Sequence, residues 1–558
     1  MNGPQNEYCQ AIHAEKHRGR FETFDEALGV RLPTAMSDSK EHLGALQQIF
    51  LGQRFLPAGR IQSAVGSTRH VTAFNCFVSG TIEDSMDSIM LRATEAVATM
   101  RRGGGIGYDF SRLRPRGHRI VTLDSTSSGP VSFMHIFDAA CYTIMSAGHR
   151  RGAMMGVLRI DHPDIEEFIR AKQNLGKLEH FNISVAITEA FMQALERGEK
   201  FPLVFEGKTD REVDARALWD ELMLANWNYA EPGVLFIDRI NDENNLAYCE
   251  RIEATNPCGE QPLPPYGACL LGSFNLVKYL APDQRFNWGL FMSDTPHVVR
   301  AMDNVIDRTI YPLSQQEKEA KKKRRMGLGV TGLANAGEWL GHPYGSPEFI
   351  RWERKVLRVL RDTAYESSVT IAREKGPFPA FDKVKYPASP FIQRLPEELQ
   401  ADIKKHGIRN SHLLSIAPAG TISLTADNVS SGIEPVFLYE VDRAIKSESG
   451  DRVVRLPDYG WKNLGVKGRT VDDLRPEEHL AVMLAAVPYI DSAISKTINV
   501  GPAVTWEEFK EIYIRAWKGG AKGCTTFREA GQRPGVITRP VDAGTCTFDP
   551  ATGAKDCD

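Results

Sequence analysis

Short apolar runs alternate with amphipathic stretches between about residue 71 and residue 530. The clearest runs lie at 74–78, 182–187 and 413–417. Runs of this length, bounded by polar or glycine-rich loops, are typical of buried parallel strands. Because helical patterns follow them repeatedly, the chain is expected to have an α/β architecture. Residues 1–70 are polar and helical in pattern, which predicts a short N-terminal helical region.

Local signals also bound one helix and the end of the fold. Thr505 and Glu508 form a capping-box pattern, apolar residues follow on one helical face, and Gly519 can end the helix. Residues 531–558 lose periodicity and carry Gly and Pro at short intervals, which predicts a flexible tail. The basic run 321–325 is expected to be a solvated loop or helix end.

The composition of the 558 residues is that of an ordinary soluble globular protein, with 42% hydrophobic and 25% charged residues. A net charge of −3 argues against a broad basic surface for nucleic acid. No apolar run approaches the ~20 residues of a membrane span, and the N-terminus has no signal-peptide pattern. Nine cysteines are too sparse for a disulfide scaffold. We therefore expect a cytoplasmic protein without a membrane or nucleic-acid partner.

Two glycine-rich segments resemble nucleotide-binding loops. Residues 327–332 match the dinucleotide pattern G-x-G-x-x-G, but a basic run precedes them where an apolar strand is required. Because of this context, a dinucleotide site is not the preferred interpretation of residues 327–332. Residues 101–107 are consistent either with a flexible hinge or with a phosphate-facing loop.

The most distinctive segment is Asn256-Pro257-Cys258-Gly259-Glu260. In an extended loop, residues two positions apart project to the same side. Asn256, Cys258 and Glu260 could then face one small volume and offer an amide donor, a sulfur and a carboxylate base. Taken alone, the segment is equally consistent with a proline-rich turn around a buried cysteine.

Other motifs occur around this segment in a fixed order. They are residues 74–78, 105–117, 148–153, 162–165, 256–260, Cys269, 325–329, 414–423 and 430–435. Together they resemble the catalytic chain of ribonucleotide reductases over roughly residues 55–535. The resemblance implies a ten-stranded α/β barrel of two five-stranded parallel halves, with a central finger loop that carries a radical cysteine.

The resemblance also implies catalytic roles. Cys258 would form the thiyl radical that removes the 3′ hydrogen of the ribose. Glu260 would take the proton of the 3′ hydroxyl, and Asn256 would hydrogen-bond the substrate. Cys76 and Cys269 would supply two electrons and end as a disulfide.

Further binding residues follow from the same resemblance. The apolar run 413–417 is followed, at 418–423, by small residues and hydroxyls, a pattern that suits an anion site at a helix start. By resemblance this loop holds the substrate phosphates. The substrate-binding residues would be Asn75, Ser111, Pro418, Ala419, Gly420, Thr421, Ile422 and Ser423. The specificity-effector residues would be Asp84, Ser85, Met86, Arg119, His149, Arg150 and Arg151.

The radical source is argued from differences between classes. Residues 523–528 lack the tyrosine pair of the oxygen-dependent class I, and no glycyl-radical motif follows Gly531. Class II remains, in which adenosylcobalamin is the cofactor. No resident metal site is expected from the protein's own side chains. The alternatives are a class I large subunit that needs a separate radical-generating subunit, and a catalytically idle nucleotide-binding regulator.

The resemblance divides the chain into three parts. Residues 1–70 would form the helical region, too short for the ATP-binding cone of many relatives. Residues 71–530 would form the barrel, and residues 531–558 a redox tail with Cys546 and Cys557. The expected partners are a ribonucleotide, with diphosphate favoured over triphosphate, a deoxynucleotide or ATP effector, and thioredoxin or glutaredoxin. A homodimer is the candidate assembly.

Overall fold

Ten strands join in one mixed sheet, which confirms the predicted α/β class. In the computed structural model the described residues are 3–19, 21–145, 152–173, 176–445, 452–529 and 531, with two two-residue strands beyond them. The sheet strands in chain order are β1 Phe55–Pro57, β2 Cys76–Val78, β3 Gly105–Asp109, β4 Met154–Arg159, β5 Phe181–Ile187, β6 Gly233–Phe236, β7 Ala268–Asn275, β8 Met326–Thr331, β9 Thr497–Val500 and β10 Gly523–Arg528.

The strands β2 to β6 lie side by side and run parallel. Strand β7 pairs antiparallel with β2, and β10 pairs antiparallel with β6. Beyond these two seams, β8 runs parallel to β7 and β9 runs parallel to β10. Strand β1 pairs antiparallel with β7. The predicted parallel strands at 74–78 and 182–187 are therefore confirmed within β2 and β5.

The apolar run 413–417 forms isolated bridges instead of a continuous strand. Leu414 bridges to Leu328 of β8, and Ile416 bridges to Ile494, both in the parallel sense. The backbone N–H groups of Leu413 and Leu414 donate to the carboxylate of Asp491, at 2.7 and 2.9 Å. Because a side chain takes these donors, the ladder is interrupted at the start of the run.

Helices cover the sheet. Those of eight residues or more are α1 Glu7–Lys16, α2 Lys40–Leu51, α3 Met86–Arg101, α4 Pro130–Met145, α5 Glu189–Arg197, α6 Ala215–Tyr229, α7 Trp288–Arg308, α8 Ser314–Lys323, α9 Pro347–Lys375, α10 Glu397–His406, α11 Pro476–Ala486 and α12 Trp506–Lys518. The predicted capping box is confirmed, because the Thr505 side chain accepts from Glu508 N and the Glu508 side chain accepts from Thr505 N. In the part of the chain that is described, no helix combines the length and apolar character that a bilayer crossing requires.

The basic run 321–325 is a helix end, as predicted, and Lys321 and Lys322 are at least partly exposed, but the expectation of solvation is wrong for the last three residues. Lys323, Arg324 and Arg325 are all buried. Arg324 is paired with Asp303 and Asp307, each at 2.8 Å. Carboxylates distant in sequence thus make burial of these cations tolerable.

Candidate active site

A two-stranded hairpin carries the segment 256–260 and lies against the sheet. Ala254–Thr255 pairs antiparallel with Pro262–Leu263. A Cβ atom placed on Gly107 of β3 would lie 1.8 Å from the carbonyl oxygen of Thr255. The glycines of β3 therefore let the hairpin backbone lie close to the strand. This role differs from both interpretations of residues 101–107 derived from the sequence, a flexible hinge and a phosphate-facing loop.

The hairpin tip is a tight turn, so the predicted extended loop is wrong. Gly259 N donates to Asn256 O, and Asn256 N donates to Gln261 O, both at 3.1 Å. Gly259 has a φ of 81°, a conformation that favours glycine. Asn256 and Glu260 still face the same place, because the turn folds the chain back on itself.

Cys76 is the point at which these side chains meet. Asn256 Nδ2 donates to Cys76 Sγ at 3.2 Å, and the Cys76 thiol donates to Glu260 Oε1 at 3.7 Å. The other carboxylate oxygen of Glu260 is buried and has no hydrogen-bond partner among the described residues. Burial raises the pKa of the Glu260 carboxyl, while the hydrogen bond from Asn256 opposes the rise. The carboxyl is thus held in a buried site with one oxygen available.

Cys76 and Cys269 are direct cross-strand partners in the β2–β7 pairing. Side chains of directly opposed residues lie on the same face with Cβ atoms about 4.5–5.5 Å apart, close to the spacing that a disulfide needs. Both cysteines are buried, and burial raises the pKa of both thiols. Their placement suits a reduced pair of neutral thiols.

Cys258 differs from this pair because it is exposed. It lines a cavity of about 160 Å³ together with Asn75, Cys76, Asn256 and Glu260. Residues 103–105, 152 and 153, which are glycines and one alanine, form part of its wall together with Met100 and Ile144. Cys141 is the third cysteine of the lining, after Cys76 and Cys258. The described residues therefore bring the predicted catalytic set together, with Cys258 as its accessible thiol.

The predicted phosphate loop lies beside this cavity. Pro418 is among the lining residues, and the short helix Gly420–Leu424 begins just after it. Ser415, in the bridged run 413–417 before the loop, donates from Oγ to Glu260 O at 3.0 Å. Ser415 therefore ties the loop to the hairpin, a contact that the sequence motif contained without revealing.

The members of the loop differ in exposure. Pro418, Gly420 and Thr421 are exposed, whereas Ala419 and Ile422 are buried. Ser423 is also buried, and its hydroxyl is hydrogen-bonded to Thr331 Oγ1 at 2.8 Å. Thr421 is thus the loop hydroxyl that faces solvent.

Other predicted residues lie elsewhere. Ser111 follows the far end of β3 from the cavity, and its Oγ donates to Asp109 Oδ1 at 2.5 Å. It is not among the residues that line the cavity. Asp84 accepts from Arg114 Nε at 2.7 Å, and Arg114 donates to the carbonyl of Arg119 at 2.9 Å. This arrangement brings Asp84 and Arg119 together.

Ser85 is the N-cap of α3, and Met86 is exposed on its first turn. His149, Arg150, Arg151, Cys546 and Cys557 lie outside the described residues.

Comparisons with known proteins agree with this geometry. The family profile described as "Ribonucleotide reductase, barrel domain" matches residues 74–527. The vitamin B12-dependent ribonucleoside-diphosphate reductase of Mycobacterium tuberculosis is 38% identical over 83% of this chain and 68% of that protein. The enzyme of the same name from Thermoplasma acidophilum is 32% identical over 92% and 69%. A ribonucleoside-diphosphate reductase large subunit of Caenorhabditis elegans is 24% identical over 80% and 60%. The chain therefore belongs to the ribonucleotide reductase family of oxidoreductases and, as its sequence predicted, is similar within that family to the vitamin B12-dependent enzymes.

Proposed function

We propose that this protein reduces ribonucleotides, with diphosphates as the expected substrates, to 2′-deoxyribonucleotides by a thiyl-radical mechanism that depends on adenosylcobalamin. The observation that carries the proposal is the meeting of Asn256, Glu260 and Cys76 beside the exposed Cys258, with Cys269 opposite Cys76. A hydrogen-abstracting thiol, a base and a reducing pair are the groups that the reaction needs.

We infer that the nine strands β2 to β10, together with the run 413–417, close as a ten-stranded barrel around the hairpin, which is then the finger loop. The inference is supported by the order of pairing. The bridges of Leu414 to β8 and of Ile416 to Ile494 link β8 to the segment that leads into β9. With these bridges included, the order of neighbouring strands begins at β8, passes through β9, β10, β6 and β2, and returns to β8 through β7.

The proposed chemistry follows from the placement of the side chains. A thiyl radical on Cys258 takes the 3′ hydrogen of the ribose. Glu260, through its unpartnered oxygen, accepts the proton of the 3′ hydroxyl, and Asn256 holds the substrate. Cys76 faces the departing 2′ oxygen, which leaves as water, and the Cys76–Cys269 pair is oxidised to a disulfide.

The residues present fit adenosylcobalamin in one observable respect. The part of the wall made by residues 103–105, 152 and 153 has no side chain larger than a methyl group, and Met100, Cys141 and Ile144 give the neighbouring lining an apolar character that suits a broad ring system. The backbone of this wall would hold the cofactor. When bound, the cofactor supplies the carbon-centred radical that oxidises the Cys258 thiol.

Substrate phosphates are assigned to the loop 418–423. Asn75 is also assigned to the substrate, since its side-chain oxygen is buried, has no partner among the described residues and could accept a hydrogen bond from a substrate hydroxyl. Ser111 remains a proposed substrate residue from the family resemblance, although its position supports it less. The effector is assigned to Asp84, Ser85, Met86 and Arg119, with residues 149–151.

The three-part division of the chain and the remaining partners are also proposals. Thioredoxin or glutaredoxin would reduce the active site through Cys546 and Cys557. Met86, Met90 and Leu91 are each about half exposed on α3, and an apolar face of this kind supports a homodimer. No disulfide joins two of the seven described cysteines, which supports a reducing cytoplasmic location.

The deciding experiment is an anaerobic electron paramagnetic resonance spectrum of the isolated chain with adenosylcobalamin, a ribonucleoside diphosphate, an effector and a dithiol. We expect a cobalt signal coupled to a thiyl radical, and deoxynucleotide as product. The Cys258→Ala variant is the control and should give neither. Activity only after addition of a metal-bearing second subunit would favour a class I large subunit, and nucleotide binding without turnover would favour the idle regulator.

A further inference from the structure

A buried cluster of charges lies next to the reducing cysteines, and the proposed reaction gives it no role. Arg325 forms ion pairs with Glu250 and, at 3.4 Å, with Glu319. Lys323 pairs with Glu250 at 2.8 Å and also with Glu319. The side chains of Arg325 and Glu250 are 3% and 2% exposed. Two cations and two anions are thus kept in the protein interior, where charges are costly.

The strand register places Arg325 beside Cys269. Leu270 of β7 is paired in parallel with Met326 of β8. Cys269 and Arg325 each precede a member of that pair, so they are neighbours across adjacent strands, which lie about 4.8 Å apart. Gly327, two residues after Arg325, faces the hairpin, since a Cβ there would lie 2.6 Å from Gln261 Nε2. By strand alternation Arg325 leaves β8 on the same face.

Charged and titratable groups reach Cys269 from several elements. Burial raises the pKa of its thiol, and the charges of Asp491 and Glu260 add to the rise. The Arg325 guanidinium acts in the opposite direction and lowers the pKa of that thiol. Cys76 faces Cys269 from β2. Arg325 is therefore the cation that opposes burial at this sulfur.

Oxidation of the cysteine pair removes the proton from the Cys269 sulfur. In one turnover the C2′–O bond and two S–H bonds break, while a C2′–H bond, an S–S bond and water form. The two thiols give up two electrons and two protons, which the substrate carbon and the departing oxygen take. A sulfur that loses its proton before its electron carries a negative charge, and a dry interior penalises such a charge strongly.

We propose that Arg325 is a positioning residue of the reductase, whose guanidinium stabilises the negative charge that develops on the Cys269 sulfur while the cysteine pair is oxidised. The inference rests on the proposed function, because that function gives Cys269 its role. Glu250 and Glu319 hold the guanidinium in place, and Lys323 completes the neutral cluster without being adjacent to Cys269 in the strand register.

The test uses the full chain, reduced, without cofactor or substrate. Diamide reacts with the Cys76 thiol, which lines the cavity, and the Cys269 thiolate then displaces the adduct to form the disulfide. The rate at which the Cys76–Cys269 disulfide forms, followed by mass spectrometry across a pH series, therefore measures how readily the Cys269 thiol ionises. Arg325→Met should move the half-maximal rate upward by about one pH unit or more, since an adjacent opposite charge shifts a pKa by that order. Arg325→Lys should restore most of the wild-type profile.

The matched control is Lys323→Met, which removes the other cation of the same cluster and should leave the profile unchanged. Arg325→Met/Glu250→Gln removes both members of the ion pair and so leaves no unpaired carboxylate to destabilise the fold. It should show the same shift as Arg325→Met, because the shift results from the loss of the cation. An unshifted profile in Arg325→Met, or an equal shift in Lys323→Met, overturns the proposal.

A separate measurement distinguishes failure of the proposed function. Mild oxidation of the wild-type chain by diamide should link Cys76 to Cys269, as detected in the peptide map. Absence of that link contradicts the assigned reducing pair itself. Formation of the link together with an unshifted Arg325→Met profile contradicts only the role of Arg325.

Discussion

Gly107 and Thr255 approach so closely that a Cβ atom on the glycine would lie 1.8 Å from the threonine carbonyl oxygen. Gly107→Ala should therefore displace the hairpin and lower the free energy of unfolding by about 1–3 kcal/mol, the usual cost of overpacking. Urea denaturation and steady-state activity measure the two effects. Gly44→Ala, in α2 with no atom near the added methyl, is the control and should be neutral or slightly stabilising. Wild-type stability in Gly107→Ala would contradict the contact.

Cys258→Ser and Cys258→Ala should abolish turnover, because an alcohol or a methyl group does not form a comparable radical by hydrogen loss. Cys258 is exposed at a hairpin tip, so both variants should keep the fold. Product formation under anaerobic conditions and the circular dichroism spectrum check the two halves of the prediction. Several turnovers by either variant would remove Cys258 from its assigned role.

Glu260→Gln should keep substrate affinity and lower kcat by about 10²- to 10⁴-fold, the usual contribution of a positioned base. The amide preserves the shape of the side chain and cannot accept the proton. Substrate binding by calorimetry and kcat by product analysis separate affinity from chemistry. A kcat near that of the wild type would show that another group takes the proton.

The wild-type rate should fall toward low pH at a higher pH than an ordinary glutamate would cause. Only the ionised carboxylate accepts a proton, and burial raises the pKa of Glu260, so the active form is lost as the pH falls through that raised value. The pH dependence of kcat/KM, measured where the fold is intact, tests the direction. An acid limb that follows the pKa of a solvent-exposed glutamate would contradict the buried setting of Glu260.

The Cys546→Ser/Cys557→Ser double variant should lose activity with thioredoxin and keep it with a small dithiol that reaches the cavity directly. Thiol exchange requires access to the target sulfur, which a tail can supply to a bulky reductant. Activity with each reductant is the measurement. Equal loss with both reductants would implicate folding or radical formation, whereas full activity with thioredoxin would exclude the tail.

Local patterns predicted much of the fold. The capping box at Thr505 and the apolar runs of β2 and β5 were sufficient, because short-range residues determine helix starts and strand burial. The run 413–417 was predicted less well, because Asp491, far along the chain, takes its backbone donors. Interactions of that range leave no trace in local periodicity.

In the candidate site, too, local features were predicted from the sequence and long-range contacts were not. The grouping of Asn256, Cys258 and Glu260 was predictable, although a turn rather than an extended loop brings it about. The burial of Arg325 was not, because its partner Glu250 lies in another part of the sequence and a basic run ordinarily indicates solvent exposure. A single sequence does not show which charges will be paired.

The β2–β7 seam also couples the redox state of the enzyme to its thermodynamic stability. Residues 76 and 269 face each other across this seam, so a disulfide between them would close a very long loop. Cross-linking a loop of that length stabilises a fold by about 5 kcal/mol in the chain-entropy description. Each catalytic turnover would then leave the more stable, disulfide-linked protein, and each reduction would remove the cross-link. The melting temperature of a sample would therefore report the fraction of the enzyme that is oxidised.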